Sequence, residues 1–273
     1  MTVSAFQSAT PTNTRSFLEV FPWRRGFIQS TVWCILAMVI WHASGRAFSY
    51  LMRALLSALR TFPQVDAWLQ SHEAARKLGL EMFGYIGSTL LAIGLLRLLG
   101  ARVELKALID ADFGRSSVPR LTLALTPLVG VIAYFAGALL IRPLIVQGAP
   151  DPAEAFGESL GKGLVQHIWV AHVVVVAPIC EEFMMRGYVF NIFKAGLLNS
   201  PEAPRYLQRG DLVANIFSSA TFAAMHLNPL AFPNYFLAGL VFCEAYRRSK
   251  TVVGGTAVHA VMNYMMAVVM GAA

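Results

Sequence analysis

The 273-residue sequence is poor in charged residues, and this shortage limits the classes of protein that it can encode. Only 14% of its residues are charged, whereas a typical soluble domain has about 25%. Hydrophobic residues make up 56% of the chain, and the mean hydropathy is +0.57. The composition therefore excludes an ordinary soluble domain and indicates an integral membrane protein whose length suits one polytopic domain.

Cysteine is also scarce, and its placement excludes a disulfide framework. The three cysteines, Cys34, Cys180 and Cys243, lie singly in apolar runs without a CxxC pair, so neither a disulfide scaffold nor a zinc knuckle is predicted. Cys180 adjoins an acidic motif, but nothing in the sequence marks it as an activated thiol. All three are interpreted as small buried hydrophobic residues.

The basic residues indicate orientation in a bilayer rather than binding of nucleic acid. The pI is about 9.6, but the Lys and Arg residues sit at the ends of apolar segments. With a cytoplasmic N-terminus, the inner loops would hold about twice as many basic residues as the outer loops. The predicted partners are therefore the lipid bilayer and a membrane-associated substrate, with no nucleic acid.

An all-α transmembrane bundle of seven to eight spans is predicted, because a spanning helix needs about 20 largely apolar residues. A polar segment, 1–26, is expected to precede an uncleaved signal anchor. It is followed by an N-terminal transmembrane region, 27–160, and a C-terminal core, 161–273. The candidate spans are Phe27–Ala43, Met82–Leu99, Leu121–Ile141, Val165–Ile179 continuing through the acidic motif, Leu212–Leu227, Ala231–Tyr246 and Val252–Met270.

Arginines at every seventh position distinguish the segment 46–69, which lies between the first two candidate spans. Arg46, Arg53 and Arg60 alternate with apolar residues. This pattern predicts an amphipathic helix that lies on the membrane surface. An eighth, poorly inserted span is the alternative.

The acidic motif places Glu181, Glu182 and Arg186 in the middle of an apolar run. A charged side chain at membrane depth costs roughly 2.5–3.5 kcal/mol even on lenient insertion scales, so these groups must face the protein interior or a wet cavity. Glu182 and Arg186 are four residues apart and can pair along one helix face. Glu181 points about 100° away from Glu182 and can face the bundle interior.

Two further polar insertions follow, Phe222 with His226 and His259 with Asn263. Together with the acidic motif they suit hydrolysis. A carboxylate beside a histidine can deprotonate a water molecule, and an imidazole and an amide on one helix face can donate to a developing oxyanion.

Each of these polar residues also has a purely structural interpretation. Histidines in membranes often only form hydrogen bonds between helices, and this is the favoured interpretation for His167 and His172. Asn263 alone could join two helices, and Glu182 with Arg186 could be a structural pair. The order of the three insertions along the chain favours a functional site.

These motifs carry a family resemblance. Glu-Glu-x-x-x-Arg at 181–186, Phe-x-x-x-His at 222–226 and His-x-x-x-Asn at 259–263 resemble the CPBP (Abi) intramembrane protease family. That family includes CAAX prenyl endopeptidases and proteins linked to bacteriocin processing or immunity. The resemblance covers about Val165 to Val269. It implies a helix bundle with a polar intramembrane cavity and an intramembrane endopeptidase, and the expected location is a bacterial inner membrane.

The resemblance also implies roles for individual residues. Glu181 and His226 would activate water, His259 and Asn263 would form an oxyanion hole, and Glu182, Arg186 and Phe222 would support them. No cofactor is expected, since the sequence has no His-Glu-x-x-His motif. A zinc site built from Glu181, His226 and His259 is the alternative, because it would supply three ligands and leave a position open for water.

If the spans run as predicted, His226 and His259 meet only near the middle of the membrane. The loop 228–234, rich in Pro and Asn, is therefore expected to dip into the protein, where its backbone needs buried or wet surroundings.

Two other functions remain open from the sequence. One is a non-catalytic membrane scaffold or bacteriocin-immunity-type protein on the same fold. The other is a transporter that relays protons, although all the matched groups lie in one half of the chain, whereas transporters usually repeat such features.

Overall fold

The computed structural model describes residues 26–99, 132, 163–199, 210–249 and 251–269. Of these residues 92% are helical and none lies in a strand, which confirms the all-α class. The candidate span Leu121–Ile141, apart from residue 132, and the segment 1–25 lie outside the described residues. The helices are α1 (Phe27–Leu59), α2 (Pro63–Ser71), α3 (Glu73–Leu98), α4 (residues 164–199), α5 (Gly210–Met225), α6 (Phe232–Ser249) and α7 (Val252–Val269).

Three stretches of helix in the described residues are long and apolar enough to cross a bilayer. They are Phe27–Leu59, Glu73–Leu98 and Val165–Leu198, and Val252–Val268 is a shorter apolar helix. The chain is thus an integral membrane protein, but the predicted number of seven to eight spans is not confirmed. Since α5 and α6 have 16 and 18 residues, they fall short of the roughly 20 apolar residues that a span needs.

The first helix is longer than predicted. The segment 46–69, expected to form one amphipathic helix, is divided between α1 and α2. The 33-residue α1 continues without interruption to Leu59. The backbone then turns, and Pro63 begins α2 at a first-turn position, where its missing N–H leaves no helical hydrogen bond unmade. Arg46 and Arg53 therefore lie on the same continuous helix as the first apolar run.

Helix α1 carries an apolar stripe on its outside and small polar residues on its inside, a distribution common in helices that pack within lipid. On α1 an outward stripe, Ile28, Val32, Ile35 and Val39, is at least 57% exposed. The inward stripe of the same helix contains Ser30 and Ser44, which are buried. Trp41 on α1 donates to the Thr89 hydroxyl on α3 at 3.1 Å, so a buried polar pair joins the two helices.

The central helix α4 alternates between α- and π-helical turns. It consists of Leu164–Ala171, a π-helical His172–Val176, Ala177–Glu182, a π-helical Phe183–Phe190 and Asn191–Asn199. Pro178 explains the first π segment, because proline lacks an N–H group and its ring crowds the carbonyl of the preceding turn. In this wider turn the Ala177 N–H reaches the carbonyl of His172, and the acidic motif follows directly. Single π turns inside α-helices are frequent at functional sites.

The bundle is arranged around α4, which contacts α1, α3, α5 and α7. Helices α1 and α3 pack against each other on the N-terminal side, and α5, α6 and α7 pack in succession on the other. Small residues allow the closest approaches. A Cβ atom on Gly196 of α4 would lie 2.3 Å from the Cβ and Oγ atoms of Ser30 on α1. The motif-bearing helix is thereby held directly against the N-terminal part of the chain.

We expect Gly196→Ala to destabilise the protein by about 1–3 kcal/mol, because an added methyl group at this contact forces α1 and α4 apart. Gly94→Ala is the matched control, since nothing lies within 4 Å of a Cβ at that helical position. It should stabilise the protein by roughly 0.5–1 kcal/mol, since alanine loses less conformational freedom than glycine. Thermal unfolding midpoints in detergent measure both. An unchanged midpoint for Gly196→Ala would show that the α1–α4 contact is looser than described.

Candidate active site

Glu182 and Arg186 form an ion pair on α4 that is fully shielded from water. The Arg186 Nη1 atom donates to Glu182 Oε1 at 2.8 Å, and both side chains are 0% exposed. The Nη2 atom donates to the Gly239 carbonyl of α6 at 2.7 Å. The guanidinium lies 5.4 and 5.6 Å from the ring centroids of Phe222 and Phe242. Arg186 therefore joins α4, α5 and α6 through one side chain.

His259 of α7 completes this buried cluster. Its Nδ1 atom lies 3.1 Å from Glu182 Oε1, and its Nε2 atom lies 3.8 Å from Glu181 Oε2. The imidazole stacks on Phe242 with centroids 4.0 Å apart, which fixes the plane of the ring. A proton on Nδ1 serves the hydrogen bond to Glu182, and the Nε2 side then faces Glu181. The two adjacent glutamates thus share one histidine.

Glu181 is the less deeply buried acid of the pair. Its side chain is 9% exposed, compared with 0% for Glu182. The Tyr85 side chain on α3 lies near enough to Glu181 to interact with its carboxylate electrostatically, so Glu181 has two neighbours, Tyr85 and His259. Only Glu182 has the arginine, which leaves the Glu181 carboxylate to act on a water molecule or a substrate.

Gly255 of α7 leaves the space that the Glu182 carboxylate occupies. The Glu182 Oε2 atom has no hydrogen-bond partner among the described residues. A Cβ atom on Gly255 would lie 2.7 Å from that oxygen, so only glycine fits at this position of α7. One helical turn separates Gly255 from His259, which brings the close approach and the imidazole to the same helix face.

His226 lies in the turn that follows α5, beside the cluster. Its ring stacks on Tyr235 with centroids 3.7 Å apart and meets the edge of Phe222 at 4.8 Å. The Nδ1 atom lies 2.9 Å from the Phe222 carbonyl. Since a carbonyl can only accept, this nitrogen carries the proton and Nε2 is left as an acceptor. Phe222 also contacts His259, with centroids 5.7 Å apart, so one phenyl ring separates the two imidazoles.

Asn263, one helical turn after His259, is committed to the backbone of α4. Its Nδ2 atom donates to the Val173 carbonyl at 2.7 Å. That carbonyl lies in the first π segment, where its π-helical partner five residues later would be the nitrogen of Pro178, which has no proton. Asn263 supplies the missing donor. Its amide has a second N–H group, which is the one that could face an oxyanion.

The loop 228–234 is only partly inside the protein. Asn228 closes a turn by accepting from the backbone N–H groups of Leu230 and Ala231 at 3.2 and 3.3 Å. Ala231 and Asn234 are buried, whereas Pro229 and Leu230 are exposed. The predicted dip is therefore made by the beginning of α6 and not by the whole loop.

The residues outside the motifs have mixed placements. His172 is buried and packs edge-on to Tyr85 at 5.1 Å, while His167 is exposed. Cys34, Cys180 and Cys243 are all buried free thiols. Among the described residues no group of three or more His, Cys, Asp and Glu side chains is placed to hold a metal ion, and this includes the alternative zinc ligands Glu181, His226 and His259.

Sequence reasoning missed Tyr85, Gly255 and Phe242. Tyr85 lies in the N-terminal region, about a hundred residues before Glu181, and no spacing links the two. Phe242 sits in an unremarkable apolar helix. A signal did exist for Gly255, since Gly254 and Gly255 interrupt an apolar helix one turn before His259, where a glycine usually has a packing reason.

Comparison with known proteins bears on the same part of the chain. Residues 164–265 match the model of a family described as type II CAAX prenyl endopeptidase Rce1-like. This segment is similar to the Rce1-like family. The match confirms the resemblance inferred from the three motifs, and every motif lies inside it. No curated protein and no solved structure matches the chain.

The Rce1-like segment coincides with the structural unit that holds the buried cluster. It begins at the first residue of α4 and ends within α7, so Glu181, Glu182, Arg186, His226, His259 and Asn263 all lie within it. Helices α1 and α3 lie outside the match, yet α3 contributes Tyr85 to the Glu181 carboxylate. The segment that matches the family is therefore complemented by a group from the rest of the chain.

We expect Arg186→Met to destabilise the protein by about 3–5 kcal/mol, because it leaves the Glu182 carboxylate buried without its cation. The double variant Glu182→Gln with Arg186→Met should recover part of that loss, since no unpaired charge remains. Thermal unfolding in detergent measures both.

Arg248→Met is the matched control for this experiment. Arg248 pairs with Glu244 at 2.6 Å but is 40% exposed, and such surface pairs contribute about 0–1 kcal/mol. Equal losses for the buried and the exposed arginine would contradict the description of a desolvated cluster.

Proposed function

We propose that this protein is an intramembrane endopeptidase that hydrolyses a peptide bond of a membrane-associated protein or peptide. One observation carries the proposal. The Glu181 carboxylate, which has no arginine partner among the described residues, lies beside His259, 3.8 Å from its Nε2 atom, while the neighbouring Glu182 is neutralised by Arg186. The family match supports the same reaction class, since the family it names is one of endopeptidases.

The proposed reaction uses Glu181 as a general base. The carboxylate takes a proton from water, and the hydroxide oxygen attacks the carbonyl carbon of the scissile peptide bond. The proton then passes to the leaving amine as the C–N bond breaks. Such proton transfers typically contribute 10²- to 10⁴-fold to the rate. His226, whose Nε2 is an acceptor, assists in activating the water.

His259 and Asn263 supply the oxyanion hole in this proposal. Both side chains lie on the inward face of α7, one turn apart. Asn263 offers the N–H group that Val173 does not use, and His259 would be the second donor through Nε2 when both of its ring nitrogens carry protons. Donors held in place before the reaction stabilise the charge that develops on the carbonyl oxygen. Glu182, Arg186 and Phe222 hold the imidazole in position and do not act on substrate.

We also propose a bacterial inner membrane as the location, with a cytoplasmic N-terminus. The distribution of Lys and Arg residues among the loops supports this orientation. The substrate would then reach Glu181 from within or beside the bilayer, and the water from the cytoplasmic side.

We expect Glu181→Gln to lower the cleavage rate by roughly 10²- to 10⁴-fold, because the amide cannot accept the proton of water. The measurement is a comparison of protein N- and C-termini in membranes of the native cell that express either the wild type or the variant at equal levels. Glu73→Gln is the control, since this acid is 58% exposed at the start of α3.

Specific termini that vanish only with Glu181→Gln would identify the substrate and its cleavage site together. If the termini are unchanged, and Glu181→Gln still rescues the phenotype of a deletion strain, the protein is a non-catalytic scaffold or immunity-type protein and the proposal is wrong.

We further propose that the reaction uses no metal ion, because the ligands that zinc would need are not gathered among the described residues. Cleavage by the purified protein should keep its rate after treatment with EDTA or 1,10-phenanthroline. A zinc protease assayed in the same detergent provides the control for the chelators. Loss of activity that added Zn²⁺ restores would instead favour the zinc site of Glu181, His226 and His259.

A further inference from the structure

A cavity of about 520 Å³ lies between α1 and α3, next to the candidate active site. We call it the α1–α3 cavity. Its walls include the aromatic rings of Trp41, Tyr50 and Tyr85, and the small residues Gly45 and Gly84 leave room between the helices. Peptide-sized ligands fit cavities of this kind, since binding sites typically measure about 300–1,000 Å³ and combine an apolar wall with a few polar groups.

The α1–α3 cavity ends next to the predicted catalytic residues, although none of them lines it. Tyr85 lines the cavity, and its side chain interacts electrostatically with Glu181. On the opposite side the lining includes Met225, the residue immediately before His226. A ligand that fills the cavity would therefore end beside the two residues proposed to activate water.

Two arginines project into the same cavity from α1. Arg46 and Arg53 are seven residues apart, which is about 10.5 Å along one helix face. Within the described part of the chain neither forms an ion pair or a hydrogen bond, and both side chains are exposed. The next arginine in the row, Arg60, is paired with Asp66 at 3.6 Å. Two neighbouring arginines of one sign attract an anionic ligand to this end of the cavity.

Among the described residues, the charges that face the two arginines do not cancel them. Of these residues Glu81 of α3 is the acid that lines the cavity, and His42, Tyr50 and Tyr85 are its other titratable groups. Glu81 also lines an adjoining cavity of about 530 Å³, together with Arg53, Arg60, Arg76 and Lys77. The described lining therefore carries an excess of positive charge, which attracts anions into the cavity.

We propose that the α1–α3 cavity is the substrate-binding site, and that it holds a peptide segment whose carboxylate lies against Arg46 and Arg53. The carboxylate belongs either to an acidic side chain or to a C-terminus. Its scissile bond then lies past Tyr85, at Glu181. This assignment rests on the proposed protease function, and it gives substrate selection to the part of the chain outside the Rce1-like match.

The first test measures the electrostatic potential in the α1–α3 cavity in the absence of substrate. The full-length protein with Gly84→Cys is treated with an anionic sulfonate and a cationic ammonium methanethiosulfonate reagent at low salt. Position 84 has nothing within 4 Å of a Cβ atom, so the cysteine fits, and the three native thiols are buried. Gly79→Cys is the matched control, because it is also open but points about 140° away on α3.

Relative to Gly79→Cys, the thiol at position 84 should prefer the anionic reagent. Adding Arg46→Gln and Arg53→Gln should lower that preference by roughly fivefold or more, as expected for losing charges within a few ångströms in water. Arg97→Gln, an exposed arginine at the other end of α3, should leave it unchanged. A preference that does not depend on Arg46 and Arg53 would overturn the proposal.

The second test uses the substrate found by the comparison of protein termini. Arg46→Gln with Arg53→Gln should raise KM about tenfold and leave kcat unchanged, because binding is lost but the chemistry is not. A substrate with a C-terminal amide, and one with Asn or Gln in place of its acidic residues, distinguish the two sources of the carboxylate. Whichever substrate change removes the recognised carboxylate should raise KM of the wild type about tenfold. It should not raise KM of the double variant any further.

The outcomes separate the two proposals. If the wild type cleaves nothing, the protease function itself fails. If it cleaves a substrate whose KM ignores both arginines, only the assignment of the α1–α3 cavity is wrong. The same conclusion follows if anionic lipid vesicles abolish the reagent preference while KM is unaffected, because the cavity would then hold a lipid headgroup.

Discussion

The buried ion pair between Glu182 and Arg186 is the interaction on which the rest of the site depends. Removing two charges from water costs several kcal/mol per ion, and their attraction offsets this cost only if the geometry is good and the remaining hydrogen-bonding groups are satisfied. Here the second Arg186 nitrogen binds the Gly239 carbonyl, and two phenyl rings flank the guanidinium. Satisfying one pair of charges thus fixes how α4, α5 and α6 meet.

This ion pair also gives the two adjacent glutamates different surroundings. Glu182 is held by Arg186 and by His259, so it serves to orient the imidazole. Glu181, turned to another face of the same helix, keeps some exposure and has no arginine of its own. Two carboxylates with different surroundings can take different roles. The sequence places them side by side, and the packing makes them unequal.

The π-helical segments of α4 leave backbone carbonyls without helical partners, and side-chain amides satisfy them. Pro178 cannot donate a backbone hydrogen bond, and the helix widens just ahead of it. The Val173 carbonyl that loses its partner receives the Asn263 amide. A side-chain amide also satisfies carbonyl groups in the second π segment. There Asn191 donates to the Arg186 and Gly187 carbonyls. In apolar surroundings an unpaired backbone group is costly, so side chains from the same or a neighbouring helix supply the donors.

The sequence by itself determined the membrane character, the all-helical class, the resemblance to an intramembrane protease family and the pairing of Glu182 with Arg186. These follow from local rules: apolar runs of spanning length, and side chains four residues apart on one helix face. Tertiary structure decided that His259 lies between both glutamates, that Asn263 also serves a backbone carbonyl, and that Tyr85 reaches Glu181 from α3. It also decided that Arg46 and Arg53 continue α1. Each of these depends on which helices meet and at what depth, and no periodicity within one helix contains that information.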